Sequence, residues 1–326
     1  MKWKFWLTVI PASVGFIFIL AGSLLWKPSE NSDWLKGDVS MFAPVEESYF
    51  RRANYYVTEP GKAQITLFST DLSLAQDGSK LIFLNPEGQI LKEDQLPLDY
   101  KAKSGIYRNE KQSLILEGNV IMNNDQSTIR ADSILFEQNK DAIRAEGDVW
   151  TEATSLKSND RIQIEADSVH YKLKERVGDY TGHVRGTIVR RRPYEESLKF
   201  KSSRLFMDLP KEKLELNEDV LMIKQLSTAS AQKGEIFLEN YNKKLKYFAL
   251  YDDVKVDETV KTGGRTFTRK AFGQKLEGMM SDGRLILTGF PRVLQLRDVI
   301  QGNRIVLREN NEVVEVDDAS TNFELK

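Results

Sequence analysis

Residues 113–122 read Ser-Leu-Ile-Leu-Glu-Gly-Asn-Val-Ile-Met, and residues 142–149 repeat the theme as Ala-Ile-Arg-Ala-Glu-Gly-Asp-Val. Leu114, Leu116, Val120 and Met122 fall on alternate positions in the first stretch, as do Ile143, Ala145 and Val149 in the second. Successive side chains of a strand point to opposite faces, so this spacing predicts strands with one apolar face. Gly118 and Gly147 lie in phase with the apolar residues, two positions before the valine, and Asn119 and Asp148 fall on the outward face. A missing side chain there permits a bulge, a sharp bend, or close approach by another backbone or a ligand.

Working outward, the alternation recurs in Arg161–Glu165, Lys213–Asn217 and Glu312–Val316. Turn-like breaks separate such segments, among them Asn85-Pro86-Glu87-Gly88, Asn123-Asn124-Asp125 and Ser281-Asp282-Gly283. The Gly-polar-Val phrase returns as Gly182-His183-Val184, and loses its glycine in Glu218-Asp219-Val220 and Asp252-Asp253-Val254. A stretched copy is Gly289-Phe290-Pro291-Arg292-Val293, and the gaps from valine to valine run from 29 to 39 residues. A second phrase falls between them, as Ala131-Asp132-Ser133 and Ala166-Asp167-Ser168. A period near 35 residues means stacked units that rest on their neighbours. The fold expected is all-β and antiparallel: a long bent sheet, or a pair of sheets, around one apolar interior. At about 11 residues per strand it would hold about 25 strands and run roughly 60 Å.

The N-terminus reads differently. Phe5–Trp26 carries no charged residue. As a helix its 22 residues reach roughly 33 Å, enough to cross a hydrocarbon core of about 30 Å. Lys2 and Lys4 precede it and place residues 1–4 in the cytoplasm by the positive-inside rule. A cleaved signal peptide ending near Ala21-Gly22-Ser23 is the competing reading. Residues 27–45 read as a polar tether, and the bulk of the chain lies beyond the membrane in either case.

Composition narrows the function. The 326 residues include 47 basic and 48 acidic side chains, a balance that argues against nucleic acid as a partner. There is no cysteine, which removes disulfides, thiol catalysis and cysteine-held metals. Two histidines, His170 and His183, stand where other repeats carry Leu135 and Asn119 or Asp148, so they read as variation rather than a metal pair. No catalytic constellation is legible, and no cofactor or enzymatic role is expected.

The anchor, the tether and the strands with repeated Gly-Asn/Asp-Val and Ala-Asp-Ser phrases resemble the OstA-type lipopolysaccharide-transport family. The single N-terminal anchor makes the chain similar to the family's LptC branch over roughly residues 1–222. Tyr49-Phe50-Arg51-Arg52, Ala63–Leu67 and Leu84–Gly88 also fit that pattern. Residues 46–222 then form an LptC-like unit, and 223–326 an LptA-like continuation with an acidic C-terminal tail. The resemblance implies a β-jellyroll, or β-taco, that holds acyl chains between two facing sheets. It implies lipopolysaccharide as cargo, an inner-membrane ABC transporter of the Lpt system as donor, and an LptA-like bridge protein as acceptor. It also implies a single-pass inner-membrane protein with most of its mass in the periplasm.

Candidate site residues follow. Leu116, Gly118, Val120, Ile143, Gly147, Val149, Gly182, Val184, Leu214, Leu216 and Val220 form an apolar stripe. It is either the lipid groove or simply a packed core. Tyr49, Phe50, Arg51 and Arg52 mark a strand for docking the transporter, or an ordinary edge strand. Glu312, Val313, Val314, Glu315 and Val316 read as the last strand and the edge that meets the bridge, with a mobile tail after it. Arg190-Arg191-Arg192-Pro193 could fork onto phosphates but reads better as a solvated hairpin tip. The main alternative to transport is a membrane-anchored scaffold with a filled interior and no cargo.

Overall fold

A computed structural model describes residues 46–58, 64–92, 96–155, 159–191, 197–224, 226–238, 246–262, 264–279, 283–308, 311–318 and 320–322. The expected membrane span Phe5–Trp26 and the tether lie outside these residues. Among the described residues, no helix is long and apolar enough to cross a membrane.

Twenty-two strand segments run from β1 (Glu46–Val57) to β22 (Ser320–Asn322), and every pairing is antiparallel. The central strands follow one another as neighbours: β7 (Ser113–Asn123), β8 (Ser127–Glu137), β9 (Ala142–Thr154), β10 (Arg161–Lys172) and β11 (Val177–Val189). The run continues through β12 (Leu198–Asp208), β13 (Lys213–Ile223), β14 (Ser227–Phe237), β15 (Lys246–Thr262) and β16 (Arg265–Met279). β13 contains residue 222 and is paired on both sides, and residues 46–326 cluster as one compact unit.

Towards the ends, the long strands break in the middle. β2 (Gln64–Ala75) pairs with β3 (Lys80–Leu84) along one half and β4 (Glu87–Leu91) along the other. The next pair, β5 (Leu98–Lys101) and β6 (Ser104–Arg108), then lies beside the two halves of β7. At the far end the split pairs are β17 (Arg284–Thr288) with β18 (Arg292–Gln295), β19 (Asp298–Gln301) with β20 (Arg304–Arg308), and β21 (Val314–Asp317) with β22. Each pair is one strand broken at a corner. The 22 segments therefore form 17 bent strands in a simple meander. At about 4.8 Å per strand the trough is roughly 75 Å long. Sequence reading expected more strands and a shorter trough. It divided the strands between two sheets, whereas each strand bends and serves both walls.

The repeated phrases make the corner. Both residues of Gly118-Asn119, Gly147-Asp148, Gly182-His183, Glu218-Asp219, Asp252-Asp253 and Gly289-Phe290 have positive φ. Two residues on these strands oppose one on the neighbour, a bulge that re-aims the chain from one wall to the other. A Cβ on Gly147 would lie 2.5 Å from the Asp132 carboxylate, and one on Gly182 would lie 2.2 Å from that of Asp167. The two phrases seen in sequence are thus partners: the aspartate of one lies over the glycine of the next strand. Gly182→Ala should cost about 1–2 kcal/mol, because a left-handed backbone penalises a Cβ and Asp167 must move. Glu218→Gly should stabilise by about 0.5–1 kcal/mol, since relieved strain is partly offset by the freer unfolded chain. Urea titration of the two variants should give midpoint shifts of opposite sign.

Beyond β20 the chain differs from the expected mobile tail. Glu312 and Val313 precede the last strands, and Val313 is exposed. The chain then runs through β21, turns at Asp318 (φ 55°) and adds β22 to the other wall. Asp317-Asp318 is another corner. Aspartate visits the left-handed region more readily than most residues, and Asn303 Nδ2 donates to Asp318 Oδ2 at 2.8 Å.

Candidate functional site

Between the walls lies one continuous apolar core reaching from Ile65 to Leu307. Leu116, Val120, Ile143, Val149, Val184, Leu214, Leu216 and Val220 all belong to it and are fully buried. Phe136 and Tyr171, from the second phrase, face the same interior. Gly118, Gly147 and Gly182 sit at its edge: they are half-buried at the corner. Asn119, Asp148 and His183 are exposed outside it. His183 Nδ1 lies 2.8 Å from Asp167 at a corner, and His170 is on the outer face of β10 opposite Arg144 and Asp179.

Opposite the corner, the two rims approach each other along a seam. One rim holds the turns after β4, β7, β9 and β11; the other holds the turns after β8, β10, β12 and β14. Polar side chains clasp across it at several levels. Lys92 meets Asp141 at 2.8 Å, and Ser155 Oγ donates to Glu212 Oε2 at 2.5 Å. Arg190 pairs with Asp160 on its own rim at 2.5 Å, while its guanidinium lies 4.1 Å from the centre of the Tyr247 ring on the other. Its Nη2 also donates to the Phe237 carbonyl at 3.4 Å. Arg269 pairs with Glu258 at 2.6 Å and donates to the carbonyls of Asn311 (2.8 Å) and Arg308 (3.1 Å) on the facing rim. Gln295 Nε2 donates to the Glu312 carbonyl at 2.9 Å.

Sequence reading missed these groups and misplaced Arg190. The expected hairpin tip would be solvated, but the Arg190 side chain is 3 % exposed. Parity could have found it. Val184, Ile188 and Arg190 share a phase, as do Val254, Val256 and Glu258, and likewise Asp160, Ile162 and Ile164. Where an inward position reaches the rim, the apolar residue gives way to a polar one: Arg190 meets the opposite wall, while Asp160 and Glu258 hold the arginines that cross.

Between the Lys92–Asp141 and Ser155–Glu212 clasps the rims part around a cavity of about 400 Å³. Ile90, Leu98, Tyr171, Leu173 and Leu209 give it an apolar lining, while Lys92, Lys174, Arg176 and Asp141 bring charge to it. Burial pushes the Tyr171 hydroxyl pKa up, and Arg176 beside it works in the opposite direction.

At the two ends, strands are left with one neighbour among the described residues. β1 pairs with β2, β21 with β20, and β22 with β19. On β1, Tyr49 and Phe50 are about half exposed, Arg51 and Arg52 are exposed, and the Tyr49 hydroxyl donates to Asp71. That bond holds the Asp71 carboxyl below its ordinary range.

The family model for LptC-related lipopolysaccharide-assembly proteins matches residues 15–189, more than half of the chain. The chain belongs to this family. Among solved structures, a similar one is LptH of Pseudomonas aeruginosa, described as the LptA homologous periplasmic component of the lipopolysaccharide transport device. That likeness has a TM-score of 0.35 and 11 % sequence identity, and covers 39 % of this chain and 95 % of that one. No curated protein gives a significant match. In this LptC-related chain the matched segment ends with β11, and the meander continues beyond it without a change of register pattern.

Proposed function

We propose that the chain is a non-enzymatic carrier of lipopolysaccharide, anchored in the inner membrane by Phe5–Trp26 with its bulk in the periplasm. It accepts the lipid from an inner-membrane ABC transporter at the β1 end, through Tyr49, Phe50, Arg51 and Arg52. It passes the lipid to an LptA-like bridge protein by strand addition at the β21–β22 end. The observation that carries this reading is the interior itself: an apolar core some 17 strands long, closed on one side by covalent corners and on the other by side-chain clasps. Each CH₂ left in water costs about 0.8 kcal/mol, so a lipid with several acyl chains needs such a covered path. Like corners repeated along the trough make neighbouring positions similar, so the cargo meets no deep trap.

A second reading, a scaffold without cargo, is favoured by the packing of the interior, where Leu116, Val120 and Ile143 are completely covered. Photo-crosslinking in cells separates the two. With a photoreactive residue in place of Val120 or Val149, lipopolysaccharide should be captured. The same residue at Asn119 or Asp148 should capture several-fold less. Equal capture at all four positions, or none, would favour the scaffold.

A further inference from the structure

The interior is covered along most of the seam, so a lipid that reaches it must enter somewhere. Beside Tyr171 the described rims part around a cavity, with a clasp on either side of it. Its apolar wall is continuous with the core through Ile90, Leu98, Tyr171 and Leu209. Its charge is unbalanced. Lys92 is engaged by Asp141, and Glu175 next door by Lys172 at 3.0 Å. Lys174 and Arg176 have no carboxylate partner among the described residues, and Lys174 is exposed.

We infer that this cavity is a side entrance for a phosphate-bearing, multiply acylated lipid. Its chains pass between the rims onto Tyr171 and Leu209, while a phosphate is taken by Lys174 and Arg176. Charge complementarity selects the occupant. An apolar slot beneath two cations that no described carboxylate neutralises suits an anionic amphiphile, and a guanidinium can bind two phosphate oxygens at once. The inference rests on the interior being a lipid path and adds, beside the end-on acceptance at β1, a lateral opening and the groups that recognise the head there.

The test uses the full chain in detergent, with a photoreactive residue at Leu173 or, separately, at Val120. The probes are lipid A and lipid A stripped of both phosphates. Lys174→Glu/Arg176→Glu should cut capture of phosphorylated lipid at Leu173 at least tenfold and leave capture of the stripped lipid unchanged. Lys174→Glu alone, at an exposed site, should give a smaller loss of the same kind with an unchanged thermal midpoint. If Leu173 captures neither lipid while Val120 is labelled, lipid does not enter at this cavity and the carrier reading stands; if Leu173 captures both lipids equally well in every variant, Lys174 and Arg176 do not recognise the head and the inference falls. If neither position captures lipid, both readings fall.

Discussion

Arg269→Met should destabilise the folded chain by about 3–5 kcal/mol, because it strips a buried carboxylate of its guanidinium. The Arg269 and Glu258 side chains are 0 % and 1 % exposed. A guanidinium has five N–H donors, and here they serve Glu258 twice, Gln295, and the carbonyls of Arg308 and Asn311. Removing it also takes a donor from each of those two part-buried carbonyls. At roughly 2–4 °C per kcal/mol for a large domain, the thermal midpoint should fall by about 10 °C. Replacing both partners, as Glu258→Met/Arg269→Met, should recover most of that loss, since two apolar side chains need no counter-charge. A loss of under 1 kcal/mol in the single variant would mean that this clasp is open in solution. The same geometry bears on truncation. Deleting residues 310–326 removes the Asn311 and Glu312 carbonyls along with β21 and β22, so it loosens the seam as well as the terminal edge.

Stapling the seam at Ser155 and Glu212 should abolish delivery of lipopolysaccharide. The two side chains bond across the rims at 2.5 Å. The chain has no cysteine of its own, so Ser155→Cys/Glu212→Cys presents the only two thiols to a short, cleavable bis-thiol reagent. A head group that travels outside while its chains travel inside must cross each clasp, and a covalent bridge cannot part. Transfer from membranes to a bridge protein should stop on stapling and return when the linker is cut. The unstapled variant should retain transfer, since losing one hydrogen bond leaves the seam able to close. Unchanged transfer by stapled protein would show that the head does not move along the seam past this point.

The strands and their inward faces were legible because period-two alternation is a local property of the chain. Leu116, Val120 and Val149 are buried for the reason their spacing suggested. The corner was half legible. Its phrases recur in sequence, yet only the paired register shows Asp132 lying over Gly147 and Asp167 over Gly182. The last corner at Asp318 went unread because it lacks both the glycine and the valine.

By itself, then, the sequence determined an all-β chain, its apolar face and its repeat, since these depend on neighbours along the chain. Tertiary structure alone decided that each strand serves two walls and which groups clasp the seam. Arg190 and Tyr247, or Arg269 and Asn311, are tens of residues apart, and no local pattern encodes their meeting. Their contact follows from the angle of the bulges and the twist of the sheet, summed over several strands.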